Sequence, residues 1–104
     1  ALSYADQRAL ELGMAVVGDA PVVLLDEPTA GMGADDTQRF TALIRELTEG
    51  KTLVTVEHDM GVVMALADRV AVLVRGQVVA LDSPEAVRAD PVVQAAYWQA
   101  EDRT

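Results

Sequence analysis

The chain has 104 residues, 51% of them hydrophobic, which suits one small domain or part of a larger one. Eight basic and 17 acidic residues give a net charge of −9, which disfavours binding to the phosphate backbone of nucleic acids. With no cysteine and His58 as its one histidine, it excludes disulfides, thiolate metal sites and multi-histidine metal sites. The apolar runs are too short to span a bilayer and the first residues do not resemble a secretion signal, so we expect a soluble protein.

The first predicted elements are a helix and a buried strand. Apolar side chains at Leu10, Met14 and Val17, with Ala9 and Leu12 beside them, recur with helical spacing over residues 6–17, and Gly18 ends the helix. The next run, Val22-Val23-Leu24-Leu25, is apolar without alternation. That pattern is typical of a strand covered on both faces in a parallel sheet. Residues 26–33, with their glycines and proline, predict a loop.

A second helix and a second strand follow this loop. Asp35 or Asp36 is predicted to cap the helix. Residues 52–56 predict a strand and residues 60–67 a short apolar helix. The strand–helix–strand order predicts two parallel strands joined by a crossover, and therefore an α/β fold. The apolar positions of the second helix are Phe40, Leu43, Ile44 and Leu47, and Gly50 ends it.

The last third of the chain predicts a hairpin and two helices. Strands at residues 70–74 and 78–81 flank the turn Arg75-Gly76-Gln77. Ser83 before Pro84 predicts a helix start, and Asp90-Pro91 repeats it for a final helix through Tyr97 and Trp98. We expect that final helix to pack its aromatic rings on the sheet.

Two carboxylates and the histidine follow the predicted parallel strands. Asp26 and Glu27 come directly after the first strand, and His58 follows the second. Because parallel strands end at the same sheet edge, the three residues should lie close together, with the adjacent carboxylates on different sides. One carboxylate could hold a hydrated Mg²⁺ and the other could deprotonate an attacking water, with His58 donating to a phosphate oxygen. Ser3, at the start of the first helix, predicts either an anion site or a plain helix cap.

Together these segments resemble the ABC ATPase family. The segment LSYADQ resembles its signature motif, VVLLDEPTAG its Walker B and D-loop region, and TVEHDM its switch-histidine loop. The three motifs occur in the family's order, and the resemblance covers essentially the whole chain. AGMG and the tail DSPEAVRADPVVQAAYWQ further resemble the ATPase subunits of importers for branched-chain amino acids and urea.

The resemblance implies a role for each motif residue. Asp26 would hold Mg²⁺ through water, Glu27 would be the general base for ATP hydrolysis, and His58 would contact the γ-phosphate. The signature residues would face an ATP bound to the opposite protomer, and the D-loop glycines would lie at the dimer interface. The signature residues are Leu2, Ser3, Ala5 and Gln7, and the D-loop glycines are Gly31 and Gly33.

Three departures from the family pattern stand out. Ala5 occupies a position at which the family has glycine, and its Cβ obstructs a close approach to phosphate. Gly33 replaces the usual D-loop aspartate. The segment Gly50-Lys51-Thr52 is not a phosphate-binding loop, because Arg45 stands where that motif needs glycine.

The resemblance therefore predicts that residues 1–104 are the C-terminal part of an ABC ATPase nucleotide-binding domain whose Walker A motif lies elsewhere. The parent would bind ATP and Mg²⁺ and would drive an importer of branched-chain amino acids or related small solutes. Its partners would be a second ATPase protomer and membrane permease subunits, without nucleic acid and without membrane insertion. It would lie in the cytoplasm, on the inner face of the plasma membrane, and these 104 residues alone would be inactive.

Two alternatives come from other functional classes. One is part of a non-transport ABC ATPase of DNA repair or translation, which would share the same motifs. The other is a non-catalytic module that self-associates through apolar strand faces at residues 22–25 and 54–56.

Overall fold

The computed structural model describes residues 2–102, and it describes side chains only as far as residue 96. The chain divides into two compact units, Ala1–Leu66 and Ala67–Thr104, which we describe in turn. The elements of the first unit are α1 (Tyr4–Val16), β1 (Val22–Asp26), α2 (Ala34–Leu47), β2 (Thr52–Val56) and α3 (Met60–Leu66). Those of the second are β3 (Val70–Val74), β4 (Gln77–Asp82), α4 (Pro84–Ala89) and α5 (Pro91–Asp102).

The first unit is an α/β layer built on a parallel strand pair. β1 and β2 pair in parallel from Val22 opposite Thr52 to Asp26 opposite Val56, and α2 connects them. The predicted strand–crossover–strand arrangement is confirmed. The register also brings the carboxyl ends of the two strands to the same edge of the sheet, which is where the candidate site lies.

Helices α1 and α2 form the core of this unit with the inner face of the strands. Leu12, Phe40 and Ile44 make up its buried cluster, and Ile44 is 0% exposed. The predicted apolar positions of α2 are confirmed, since Leu43 and Leu47 pack against this cluster. Leu25 and Leu53 contribute from the strands. The 3.6-residue period of α2 thus defines the side of the sheet that is covered.

The prediction that the first strand is covered on both faces is wrong for this structure. Val23 is 4% exposed, whereas its neighbour Leu24 is 73% exposed. The helices cover one face of the strands, so alternate side chains of each strand point away from the core. The exposed apolar residues form what we call the open sheet face, which consists of Val22, Leu24, Val54 and Val56.

The helix starts differ from the sequence expectations for identifiable reasons. α1 begins at Tyr4 and not at Asp6, because the Ser3 hydroxyl accepts a hydrogen bond from the Asp6 amide at 3.1 Å. The cap of α2 is Gly33, without a side-chain hydrogen bond, so the prediction of Asp35 or Asp36 as cap is wrong. Both acids lie in the first turn, where the helix dipole favours negative charge.

The apolar positions predicted for α1 are mostly not its buried ones. Leu10 is 57% exposed, Met14 71% and Val17 85%, whereas Leu12 is 2% exposed. The spacing identified the helix correctly, but the buried residue is Leu12, which lies beside the apolar stripe of Leu10, Met14 and Val17.

The second unit is a hairpin followed by two short helices. β3 and β4 pair antiparallel, with an irregularity in the register after Val72. Arg75 (φ 51°) and Gly76 (φ 77°) form a two-residue turn with both residues left-handed, the geometry that a tight hairpin requires. Gln77, predicted in the turn, is the first residue of β4.

Proline starts both helices of the second unit, as predicted. The Ser83 hydroxyl accepts from the Ala86 amide at 3.2 Å, and Asp90 accepts from the Val92 amide at 2.8 Å. The side chains of Tyr97 and Trp98 lie outside the described residues, so their packing stays a prediction. Within residues 2–102, no helix is both long and apolar enough to cross a membrane.

Candidate functional site

The loop after β1 starts with Glu27 in an unusual backbone conformation. Asp26 is the last residue of β1 and lies opposite Val56. The Glu27 amide donates to the Val56 carbonyl at 2.8 Å, and the Glu27 carbonyl accepts from the Ala30 amide at 3.0 Å. Between these bonds Glu27 has φ 46°, in the left-handed region. The backbone thus turns sharply where the strand ends and carries the Glu27 side chain off the strand direction.

Glu27 and His58 meet across the ends of the two strands. Their closest atoms, Glu27 Oε1 and His58 Nε2, are 2.5 Å apart. The side chains are 42% and 83% exposed, so both remain accessible to a ligand or to water. A carboxylate this close to an imidazole N–H can take up a proton and be held in one orientation by the ring. The structure therefore brings together two of the three residues that the sequence placed at this edge.

The pair borders a hollow of about 190 Å³ that is rich in titratable groups. Two of its residues, Thr29 and Glu57, were not singled out from the sequence. Thr29 Oγ1 donates to Glu57 Oε2 at 2.9 Å and lies 3.2 Å from Oε1. The sequence does mark Glu57 as a candidate, because this acidic residue directly follows an apolar strand. Asp26 has a similar place at the end of β1. The hollow is lined by Glu27, Thr29, Ala30, Met32, Thr37, Glu57, His58 and Asp59.

Burial raises the pKa of the Glu57 carboxyl above its usual value, and the negative charge of Asp59 adds to that rise. The hydrogen bond from Thr29 acts in the opposite direction, because it stabilises the ionised form. Asp59 itself is engaged at the start of α3, where its Oδ1 accepts from the amides of Gly61 (2.9 Å) and Val62 (3.3 Å).

Asp26 lies on the other side of the strand end, as predicted for adjacent carboxylates. It borders a separate hollow of about 230 Å³ together with Arg8. The Arg8 guanidinium is paired with Glu11 at 2.9 Å, and Asp26 is exposed. An exposed carboxylate at a strand end fits a hydrated Mg²⁺, which needs one or two carboxylates besides water and phosphate oxygens. Within residues 2–102, no cluster of three or more acidic or histidine side chains could hold a metal by itself.

Lys51, in the Gly-Lys-Thr segment, has a structural contact. Its Nζ donates to the Ala20 carbonyl at 2.9 Å and lies 3.4 Å from the Gly18 carbonyl. The lysine thus holds the loop before β1 against the start of β2. This contact agrees with the interpretation that the segment is not a phosphate-binding loop.

No family model matches the chain. It is 39% identical over 98 residues to LivG of Escherichia coli, a "high-affinity branched-chain amino acid transport ATP-binding protein". That alignment covers 92% of this chain and 38% of LivG. The fold resembles the ADP conformation of MJ1267, an ATP-binding cassette of an ABC transporter, with a TM-score of 0.79 and 25% identity. The match covers 92% of this chain and 40% of MJ1267.

This chain is a homologue of the ABC-transporter ATP-binding proteins. It spans about two fifths of the length of LivG and of MJ1267. The fold also resembles UvrA2 of Deinococcus radiodurans, with a TM-score of 0.73 and 27% identity over 99% of this chain and 14% of that one. The α/β fold with parallel strands, expected from the family resemblance, is confirmed.

The segment that resembles the ABC signature starts α1 and borders neither hollow. Ser3 caps the helix, which agrees with the second of the two roles predicted for it, an anion site or a helix cap. Gln7 Nε2 donates to the Leu2 carbonyl at 3.3 Å, and Ala5 is half-buried within α1. Leu2, Ser3 and Gln7 are exposed, so the segment presents its polar groups to solvent.

The segment that resembles the ABC D-loop contacts this helix through Tyr4. The Tyr4 hydroxyl donates to the Ala30 carbonyl at 3.0 Å. Gly31 has φ 81°, and a Cβ at this position would lie 3.6 Å from the Tyr4 ring. Glycine is needed here for its conformation more than for space. Gly33 has an extended backbone and serves as the cap of α2.

Proposed function

We propose that residues 1–104 are the C-terminal part of an ATP-binding subunit of an ABC importer, and that they supply the catalytic edge for ATP hydrolysis. The observation that carries this proposal is the 2.5 Å contact between Glu27 and His58 at the carboxyl ends of β1 and β2. Homology to LivG, whose name describes branched-chain amino-acid transport, supports an importer of those or related solutes.

In the proposed reaction Glu27 is the general base. Its carboxylate takes a proton from the water that attacks the γ-phosphate, while the ring of His58 holds the carboxylate in place. His58 is 83% exposed, so the same ring can donate to a γ-phosphate oxygen when the nucleotide is present. Asp26 would hold Mg²⁺ through water, and the metal would neutralise charge on the phosphates. Glu27, His58 and Asp26 would thus promote ATP hydrolysis by positioning the reacting groups and by electrostatic stabilisation.

The remaining motif residues are proposed to act between protomers. The exposed start of α1, with Leu2, Ser3, Ala5 and Gln7, would face an ATP bound to a second ATPase protomer. Gly31 and Gly33 would lie at that interface. Permease subunits would couple the dimer to transport and would hold it at the inner face of the plasma membrane.

Substitution of Glu27 tests the proposal in the intact subunit that carries this chain. We expect Glu27→Gln to lower ATP turnover by about 10²-fold or more while Mg-ATP still binds, because the base is lost but the binding groups remain. His58→Ala should also lower turnover. Glu49→Gln, at an exposed position after α2, is the matched control. Unchanged turnover in Glu27→Gln would rule out the assigned base.

The 104 residues by themselves are proposed not to hydrolyse ATP. They include no G-x-x-x-x-G-K-[ST] segment, and Lys51 contacts the Ala20 carbonyl. Calorimetry of the 104-residue chain with Mg-ATP should detect no tight binding. Micromolar affinity would contradict this part of the proposal.

One competing function is a role in a non-transport ABC ATPase, which would share the three motifs. The net charge of −9 argues against direct contact with DNA by this part of such a protein. Retention of duplex DNA by the intact subunit at physiological salt, lost when the salt is raised, would favour the competing function over transport.

A further inference from the structure

Glu57 is a carboxylate at the site to which the proposed reaction assigns no role. It follows β2 directly and precedes His58. Its two oxygens lie 2.9 and 3.2 Å from the Thr29 hydroxyl, which donates to them. Thr29 is only 6% exposed and lies two residues after Glu27. The contact therefore ties the loop that carries Glu27 to the loop that carries His58.

The links between these two loops differ in how strongly water competes with them. The bond from the Glu27 amide to the Val56 carbonyl fixes only the backbone at the strand ends. The contact of Glu27 with His58 joins two side chains that are 42% and 83% exposed. The Thr29 donor is buried and Glu57 is partly buried, so water competes less with this bond than with the contact between two exposed side chains, and the bond is the stronger side-chain restraint on the distance between the loops.

We propose that Glu57 is a positioning residue for the Glu27–His58 pair. By accepting from Thr29, its carboxylate holds the second loop where His58 Nε2 reaches Glu27 Oε1. A carboxylate suits this task because a charge-assisted hydrogen bond is about twice as strong as a neutral one. What the pair does rests on the proposed function, but the positioning of the pair does not depend on it.

The matched variants are Thr29→Val, which removes the hydroxyl at nearly constant volume, and Thr29→Ser, which keeps it. Neither changes the charge beside His58. NMR of the 104-residue chain without nucleotide measures the ring ¹H and ¹⁵N resonances of His58. Glu27→Gln should shift these resonances in the wild-type background, because the ring contacts that carboxylate.

The Glu27→Gln shift should persist in the Thr29→Ser background and be lost in the Thr29→Val background. Persistence with Thr29→Val would overturn the proposal, and so would the absence of any shift in the wild type. Glu57→Gln keeps the size of the side chain and one carbonyl acceptor, so it should reduce the shift. If Thr29→Val and Glu57→Gln both unfold the chain, the contact supports the whole fold and the positioning role is wrong.

A kinetic measurement on the intact subunit separates positioning from binding. Thr29→Val should lower kcat for ATP hydrolysis and leave KM for ATP unchanged, and Thr29→Ser should restore kcat. Equal kcat for Thr29→Val and wild type would count against the proposal. Because the NMR test contains no ATP, its failure leaves the proposed ATPase function standing. Wild-type ATP turnover in Glu27→Gln would instead rule out the proposed function and would leave the proposed contact between the loops standing.

Discussion

Burial and a neighbouring charge act together on the Glu57 carboxyl and raise its pKa. A carboxyl whose folded-state pKa is raised binds its proton more tightly in the folded protein than in the unfolded chain. Its contribution to the free energy of unfolding is therefore greatest at low pH and is lost as pH rises from about 4.5 through the folded value. At neutral pH, ionised Glu57 therefore lowers the free energy of unfolding relative to a protonated carboxyl at this position.

We predict that Glu57→Gln flattens the pH dependence of stability over this window. The glutamine cannot ionise, so the difference between wild type and variant isolates the titration of Glu57 from that of the other acidic residues. Urea unfolding across the window measures this difference. Thr29→Val serves as the opposite control, because it removes a bond that lowers the pKa and should make the loss of stability with rising pH steeper. Parallel profiles of wild type and Glu57→Gln would contradict the prediction.

The positions of the strand-end residues were predictable from the sequence, whereas the hydrogen bond that holds their loops together was not. Asp26 and Glu27 stand at the end of one apolar run and His58 stands two residues after the other, so the register of a parallel pair is enough to place them at one edge. The bond from Thr29 to Glu57 depends on how the loop after β1 folds back. That path follows from the left-handed Glu27 and from Gly31, and a sequence pattern does not specify it.

Helix α1 shows the same limit at the scale of an element. A period of three to four residues fits two stripes of this helix, one through Leu10 and Met14 and the other through Ala9, Leu12 and Val16. The second stripe faces the core, because α2 covers that side. The helix itself was predictable from its spacing, whereas the buried side depends on where its neighbour packs.

Two leucines of α1 give a matched test of this orientation in the 104-residue chain. Leu12→Ala should lower the free energy of unfolding by about 2–5 kcal/mol, because a side chain that is 2% exposed leaves a cavity. Leu10→Ala, where the leucine is 57% exposed, should stay within about 0.5 kcal/mol. Chemical denaturation measures both. A larger loss for Leu10→Ala than for Leu12→Ala would show that the helix packs with the other stripe inward.

At the scale of the whole molecule, apolar exposure and net charge act against each other. The open sheet face carries Leu24, which is 73% exposed, on a pair of strands with unpaired edges. The charge of −9 on each molecule opposes the approach of a second copy. Self-association of the isolated chain, the non-catalytic alternative, therefore depends on how far salt screens that repulsion.

We predict that the 104-residue chain associates with rising concentration and that added salt strengthens the association. Leu24→Asp should weaken it by placing a charge on the open sheet face. Val17→Asp adds the same charge at an exposed position after α1 and should have a smaller effect. Sedimentation velocity measures the distribution, with circular dichroism to confirm folding. A strict monomer at high concentration and high salt would rule out this alternative.

The left-handed conformation of Glu27 sets two requirements of the protein against each other. A side-chain-bearing residue at φ 46° costs of the order of 1–3 kcal/mol relative to one that adopts the conformation freely. Selection for thermostability alone would therefore favour glycine at position 27, and directed evolution under heat would tend to discard the very carboxylate proposed to activate water. Engineering this chain for robustness should leave that position fixed and seek its gains elsewhere.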